Sequence, residues 1–160
     1  MEERPIEAPT DHRCILGVLT RQLASAGATD RAALAADALG RLLDDDRFDA
    51  CCVPHYLALA PEHFVREIQI PIAVEGDVET RVIVWPIGAR DATHPHSDGW
   101  TVYVPVTGAL VTVEQAGADE SVADLVPRLP VVLRPEERVR HRVRNIGDGL
   151  ALSVHISGTD

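Results

Sequence analysis

The sequence contains no lysine: all 15 basic residues are arginine. Schiff-base chemistry through a lysine amine is therefore excluded. The basic residues are outnumbered by 25 Asp and Glu, and the formal net charge is −10. Phosphate backbones call for a basic face, so nucleic acid is excluded as a partner. No apolar run approaches the roughly 20 residues of a membrane span. The opening MEERPIEAPTD is acidic and lacks the apolar stretch of a secretory signal. A cytoplasmic protein without a membrane partner is expected. Cysteine is scarce, with only Cys14, Cys51 and Cys52. Two of the three are adjacent and none follows C-x-x-C spacing, so they read as reduced, buried thiols rather than a disulfide or a zinc site.

What remains is ordinary globular material. The 160 residues are 46% hydrophobic and 25% charged, enough for one domain with a real core. Periodicity divides the chain. TDHRCILGVLTRQLASAG has a cap in Thr10 or Asp11, a stripe of Ile15, Leu16, Leu19 and Leu23, and a stop at Gly27. TDRAALAADALGRLLDDD has Thr29 as cap and a stripe of Leu34, Ala35, Ala38, Leu39 and Leu42. The acidic run Asp44–Asp46 lacks calcium-loop spacing and reads as a solvated helix end. RFDACC, ahead of Pro54, reads as a short helical turn. From Phe64 the pattern changes to strands: FVREIQIPIAV, TRVIVWP, WTVYVPV, ALVTVEQ, LPVVLRP, RVRHRVRN and ALSVHIS. Helices followed by many short strands predict an α+β, mainly β chain, with helices packed outside a barrel or sandwich. The helical part covers about residues 1–60 and the barrel about 64–158.

Strand parity is informative. In ERVRHRVRN, Arg138, Arg140, Arg142 and Arg144 share one face, which turns His141 inward. In ALSVHIS, Leu152, Val154 and Ile156 oppose Ser153, His155 and Ser157. An apolar row backed by a Ser-His-Ser row fits a barrel wall with a polar lumen.

Seven histidines are present: His12, His55, His63, His94, His96, His141 and His155. His94 and His96 lie at i, i+2, so on a strand both imidazoles face one side and can share a metal ion, with His141 as a third donor. A plain loop with two nearby histidines remains the alternative reading of that segment. Trp100 has the parity of His96 and sits either in a pocket wall or in the core. Arg90 and Asp91 read as turn residues, as do Glu75, Asp77, Glu79, Asp119 and Glu120.

The spacing resembles a known family. Gly88, five residues, His94-Pro95-His96, four residues, Thr101, six residues and Gly108 reproduce the first cupin motif, with Thr101 in place of its glutamate. PEERVRHRVRN supplies His141 and Asn145 of the second motif, without its glycine and with Pro135 one residue displaced. Among cupins the chain looks like the thiol dioxygenases of the cysteine dioxygenase type. That resemblance covers about Phe64 to Ser157 and implies a jelly-roll-like barrel. It implies Fe(II) on His94, His96 and His141, with another divalent transition metal such as nickel, manganese or zinc left open. It assigns Ser153 and His155 to an outer hydrogen-bond relay and Arg66 to the carboxylate of a small thiol, with O2 as co-substrate. Tyr103, Trp100 and Ser157 complete the implied substrate pocket. The chain departs from the family at Pro95, where aspartate is usual, and at Ser157, where the relay usually ends in tyrosine. Thr101 rules out the thioether crosslink of some members. Tyr103 or Tyr56 is left to supply a phenol. A different reaction on a small acid at the same three histidines, or a non-enzymatic ligand-binding cupin, stay open as alternatives, as does the oligomeric state.

Overall fold

Two amphipathic helices begin the described part of the chain. The computed structural model describes residues 11–27, 30–44, 53–58, 65–92, 94–95, 99–134 and 140–159. Helix α1 spans Asp11–Ser25 and buries Leu16, Thr20 and Leu23, one stripe at i, i+4, i+7. Ile15, expected on that stripe, is 49% exposed. Thr20 takes the buried position because its hydroxyl donates to Leu16 O at 2.6 Å and meets Thr80 Oγ1 at 2.7 Å. Helix α2 spans Arg31–Leu43 and buries Ala32, Ala35, Leu39 and Leu43. Its N-cap is Asp30 rather than Thr29, with the carboxylate accepting from Ala33 N at 3.0 Å. The cap shift turns the helix, so Leu34 faces out. Arg128 Nη1 donates to Leu43 O at 2.6 Å, where a cation suits the helix C-terminus. A short helix α3, Val53–Leu57, buries Tyr56. RFDACC and the tail of the acidic run after Asp44 lie outside the described residues, as do Cys51, Cys52 and His63. Among the described residues no helix is long and apolar enough to cross a membrane.

Nine strands form two antiparallel sheets. They are β1 Ile68–Glu75, β2 Val78–Trp85, β3 His94–Pro95, β4 Trp100–Thr107, β5 Leu110–Ala116, β6 Asp119–Asp124, β7 Val131–Leu133, β8 Arg140–Asn145 and β9 Ala151–Gly158. The orders are β1-β2-β9-β4-β7 and β3-β8-β5-β6. The seven expected strands are all present. The two additional ones carry no apolar alternation: β6 is exposed along its whole length, and β3 has two residues. Register shifts fall at Pro71 in β1 and Pro105 in β4, where a residue without an N–H interrupts the ladder.

The five-stranded sheet separates two cores. On its helix side Leu16, Leu39, Leu43 and Tyr56 meet Val82, Val84, Val102, Leu152, Val154 and Ile156. On its lumen side Ile83, Trp85, Tyr103 and Ala151 meet Leu110, Leu125 and Val143. The alternation expected for β9 is the one observed. Trp100 is a correction: it belongs to the helix-side core, with the Arg31 guanidinium 5.9 Å from its ring centre. That cationic stack and the lack of continuity between β3 and β4 set its face, so it does not wall the lumen.

Three local devices hold the two sheets and the helices together. Asn145, at the end of β8, is 1% exposed. Its Nδ2 donates to Trp85 O (2.8 Å), Pro86 O (3.2 Å) and Gly149 O (2.9 Å), and its Oδ1 accepts from Gly147 N (2.9 Å). Gly108, between β4 and β5, has φ +85°, and a Cβ there would stand 2.4 Å from Ala151 Cβ. Only glycine fits that turn. The Asp77 carboxylate, in the β1–β2 turn, accepts from Arg31 (2.7 and 3.0 Å) and from Thr159 N (3.0 Å) and Oγ1 (2.8 Å). Arg31 Nη2 also donates to Thr159 O. This knot ties α2, the β1–β2 turn and the end of β9.

Two stability outcomes follow from these contacts. Asn145→Ala leaves several buried backbone groups without partners and should cost about 2–4 kcal/mol in urea denaturation, at one to three per orphaned group with partial relaxation. Arg31, then Thr159, hold the Asp77 carboxyl well below the usual carboxylate range. A depressed folded pKa stabilises above the unfolded value near 4 and is lost as pH falls through the folded value. Asp77→Asn should therefore cost about 1 kcal/mol at pH 7, a value reduced for solvent screening. The gap between variant and parent should close steadily below pH about 4 in a pH series of melting curves.

Candidate functional site

The lumen between the sheets holds a cavity of about 240 Å3. Its walls follow from strand parity. Gln69 on β1, Arg81 and Ile83 on β2, Thr101 and Tyr103 on β4, and His155 and Ser157 on β9 come from one sheet. His94, His141 and Val143 come from the other, with Asp91 from the loop before β3 and Leu133 from β7.

His94 and His141 are direct register partners on β3 and β8. Their Nε2 atoms stand 3.1 Å apart, with ring centres at 4.7 Å and planes at 73°. His94 Nδ1 lies 2.8 Å from Ala92 O. A carbonyl only accepts, so Nδ1 carries the proton and His94 Nε2 presents its lone pair to His141. Two imidazole nitrogens at that separation subtend roughly a right angle at an ion bound at about 2.1 Å from each. The donor chemistry and spacing thus fit a transition-metal ion. Among the described residues no third His, Cys, Asp or Glu joins this pair in a ligand group. His96, the expected partner of His94 at i, i+2, lies outside the described residues, as does the side chain of His12. His55 packs its ring edge on Tyr56 in α3, outside the cavity lining.

Asp91 was expected to be a turn residue and instead lines the cavity. Its Oδ1 accepts from Val143 N at 2.6 Å, and its own N donates to Val143 O at 3.2 Å. Its Oδ2 is 3.7 Å from His94 Nδ1. One residue thus joins the β3 approach to β8, two positions beyond His141, and orients His94 electrostatically. Burial pushes the Asp91 carboxyl up to about 6, with the charge of Glu67 adding to it against the Val143 bond and His94. A carboxylate three residues ahead of a candidate ligand was the available signal for it.

Opposite this pair, Ser153 Oγ meets His155 Nε2 at 2.9 Å and accepts from Trp85 Nε1 at 2.8 Å. Indole only donates, so Ser153 keeps one hydrogen and one lone pair. It can donate to a bare His155 nitrogen or accept from a protonated one, and so serves either state of the ring. Trp85 had not been expected in this chain of bonds. Nothing in TRVIVWP distinguished its indole from a core aromatic. Tyr103 stacks on His155 with ring centres at 5.1 Å and planes at 14°. It is the phenol that lines the lumen, whereas Tyr56 is fully buried in the helix-side core.

Arg66 is placed differently from expectation. It lies in the bend before β1, is exposed, and is not among the residues that line the cavity. Arg81 is the cation of the described lining. Its Nη1 donates to Gln69 Oε1 at 2.6 Å and its Nη2 to Glu79 Oε2 at 2.8 Å. Arg66 precedes the first ladder pair, Ile68–Val84, so no register turns it inward. Arg81 pairs with His155. Ser157 and Tyr103 line the lumen and Trp100 does not.

No family model matches the sequence, and no curated protein matches it. Solved structures do. A Klebsiella pneumoniae protein with a double-stranded β-helix domain superposes with a TM-score of 0.53 at 18% identity, over 62% of this chain and 78% of that one. A cupin superfamily protein of Desulfitobacterium hafniense gives 0.51 at 17%, over 65% and 87%. An oxalate oxidase in complex with the substrate analogue glycolate gives 0.50 at 12%, over 61% and 53%. These likenesses are of fold. With two antiparallel sheets around a lumen and helices packed outside, the chain has the cupin fold, a double-stranded β-helix.

Proposed function

We propose that this protein is a mononuclear non-haem iron dioxygenase of the cysteine dioxygenase type, which oxidises the sulfur of a small thiol-bearing carboxylic acid. The observation that carries this reading is the convergence of His94 Nε2 and His141 Nε2 at 3.1 Å in a lumen that also holds the Ser153–His155 pair. His96 is the third ligand by sequence spacing. When bound, Fe(II) supplies the oxygen chemistry and favours the deprotonated thiol. In the overall reaction R–SH and O2 give R–SO2H, with both oxygen atoms ending on sulfur.

The chain's own residues supply position and protons. A cavity of about 240 Å3 suits a ligand of amino-acid size, below the range of drug-sized pockets. Ile83, Leu133 and Val143 line it with hydrocarbon and limit water. Arg81 takes the carboxylate role expected of Arg66. Its guanidinium is already oriented by Gln69 and Glu79, and a planar fork binds a carboxylate through two parallel bonds. Such fixing of a small substrate lowers the entropy cost of reaction. Ser153 holds or returns a proton at His155 Nε2 and keeps that ring aligned beside the site.

Two measurements test this reading. Iron-loaded protein should consume O2 with cysteine or 3-mercaptopropionate and form a sulfinate, and His94→Ala and His141→Ala should each lose bound iron and uptake together. No uptake with any thiol in a panel that includes cysteamine, at full iron occupancy, would remove the assignment. Arg81→Ala should raise KM for 3-mercaptopropionate by about 10–100-fold, the worth of a charge-assisted hydrogen-bond pair. It should change KM for cysteamine, which has no carboxylate, by less than threefold. Arg66→Ala should leave both unchanged.

A further inference from the structure

The lumen contains a hydroxyl whose role the proposed reaction does not account for. Tyr103 is 2% exposed, and its ring is held on one face by His155 at 5.1 Å. His155 is itself held by Ser153, which is held by Trp85. The phenol is therefore fixed, with its ring centre 6.3 Å from that of His141. Its hydroxyl is buried and has no hydrogen-bond partner of normal geometry among the described residues. The same holds for the hydroxyl of Thr112, 8% exposed on β5 of the opposite sheet. These two hydroxyls lie near each other, yet neither completes a bond.

Burying a hydroxyl without a partner destabilises a protein, and phenylalanine would fill the same space without that loss. A polar tip retained at that cost, in the wall of a cavity, marks a place where the partner arrives from outside the chain. Burial first, and the nearby charges of Glu114 and Asp91 second, push the phenol up to about 12. The group keeps its proton wherever the protein is folded and acts as a donor.

We propose that Tyr103 Oη is a ligand-binding donor that hydrogen-bonds an acceptor oxygen of a small carboxylic acid in the lumen. The carboxylic-acid class rests on the proposed function. The donor role rests on the geometry alone. The ligand would span from the half-exposed Arg81 toward the closed end at Tyr103, one anionic and one acceptor contact apart.

The test compares Tyr103→Phe with the parent protein in two measurements. Melting temperature without ligand should stay level or rise by a few degrees, because the variant removes a buried hydroxyl that makes no bond. Anaerobic calorimetric titration of the iron-loaded protein with 3-mercaptopropionate and with propionate should show affinity reduced by tenfold or more. Equal affinity in variant and parent would overturn the inference and leave the dioxygenase reading intact. A fall of several degrees in melting temperature would also overturn it, since the hydroxyl would then have a partner within the chain. Tyr103-dependent binding of propionate, with no thiol oxidised, would support the inference and remove the dioxygenase reading.

Discussion

The five-stranded sheet is covered on both faces, and the rest of the structure depends on that constraint. Helices α1 to α3 cover one face and the second sheet covers the other. A strand in such a sheet has no solvent side on which to leave polar residues. Its alternate positions must then answer to two different interiors. On β9 one set, Leu152, Val154 and Ile156, packs against the helices. The other set, Ser153, His155 and Ser157, faces the lumen, where each polar tip requires a partner. The chemistry of the site is thus the polar half of a wall whose apolar half holds the helices.

Polar groups in that lumen stabilise one another in chains. Trp85 supplies a hydrogen to Ser153, and Ser153 fixes His155. The His155 ring then supports Tyr103 by stacking. Across the lumen, Ala92 O sets the proton of His94, and Asp91 ties the loop to β8 through Val143. In a low-dielectric interior each such bond is strong, and each unmet group is costly. The result is a preorganised pair of nitrogens facing a relay. The lone cation of the described lining, Arg81, stands between Gln69 and Glu79. A net charge of −10 makes a positive group in the cavity distinctive, and gives an incoming anion one favourable place to settle.

The legible part of the fold was its periodicity. The seven apolar strands, the inward side of His141 and the split of β9 were all open to counting, because a strand repeats every two residues. Helix α1 and helix α2 were also legible, but their buried stripes were off by about one position. In α1 the pair Thr20–Thr80 replaces an aliphatic contact. In α2 the cap Asp30 changes the phase. The edge strand β6 was not legible, since a strand exposed along its length has no reason to alternate. Trp100 was misplaced because parity was carried from the H-x-H segment into β4. Those are separate strands in different sheets.

The amino-acid sequence by itself determined the mainly β architecture with leading helices, and the two glycines and two histidine segments at cupin spacing. These are local matters: period, turn chemistry, and the need for glycine where φ is positive, as at Gly88 and Gly108. Only the tertiary structure decided which side chains share the lumen. His94 meets His141 through a ladder between segments 47 positions apart. Arg81 enters and Arg66 does not, because one lies within a paired strand and the other before it. Asp91 changed from a turn residue into a clamp through a bond to a strand that follows it by 52 positions. Such meetings depend on sheet order and register, which the whole chain sets by burying two cores at once.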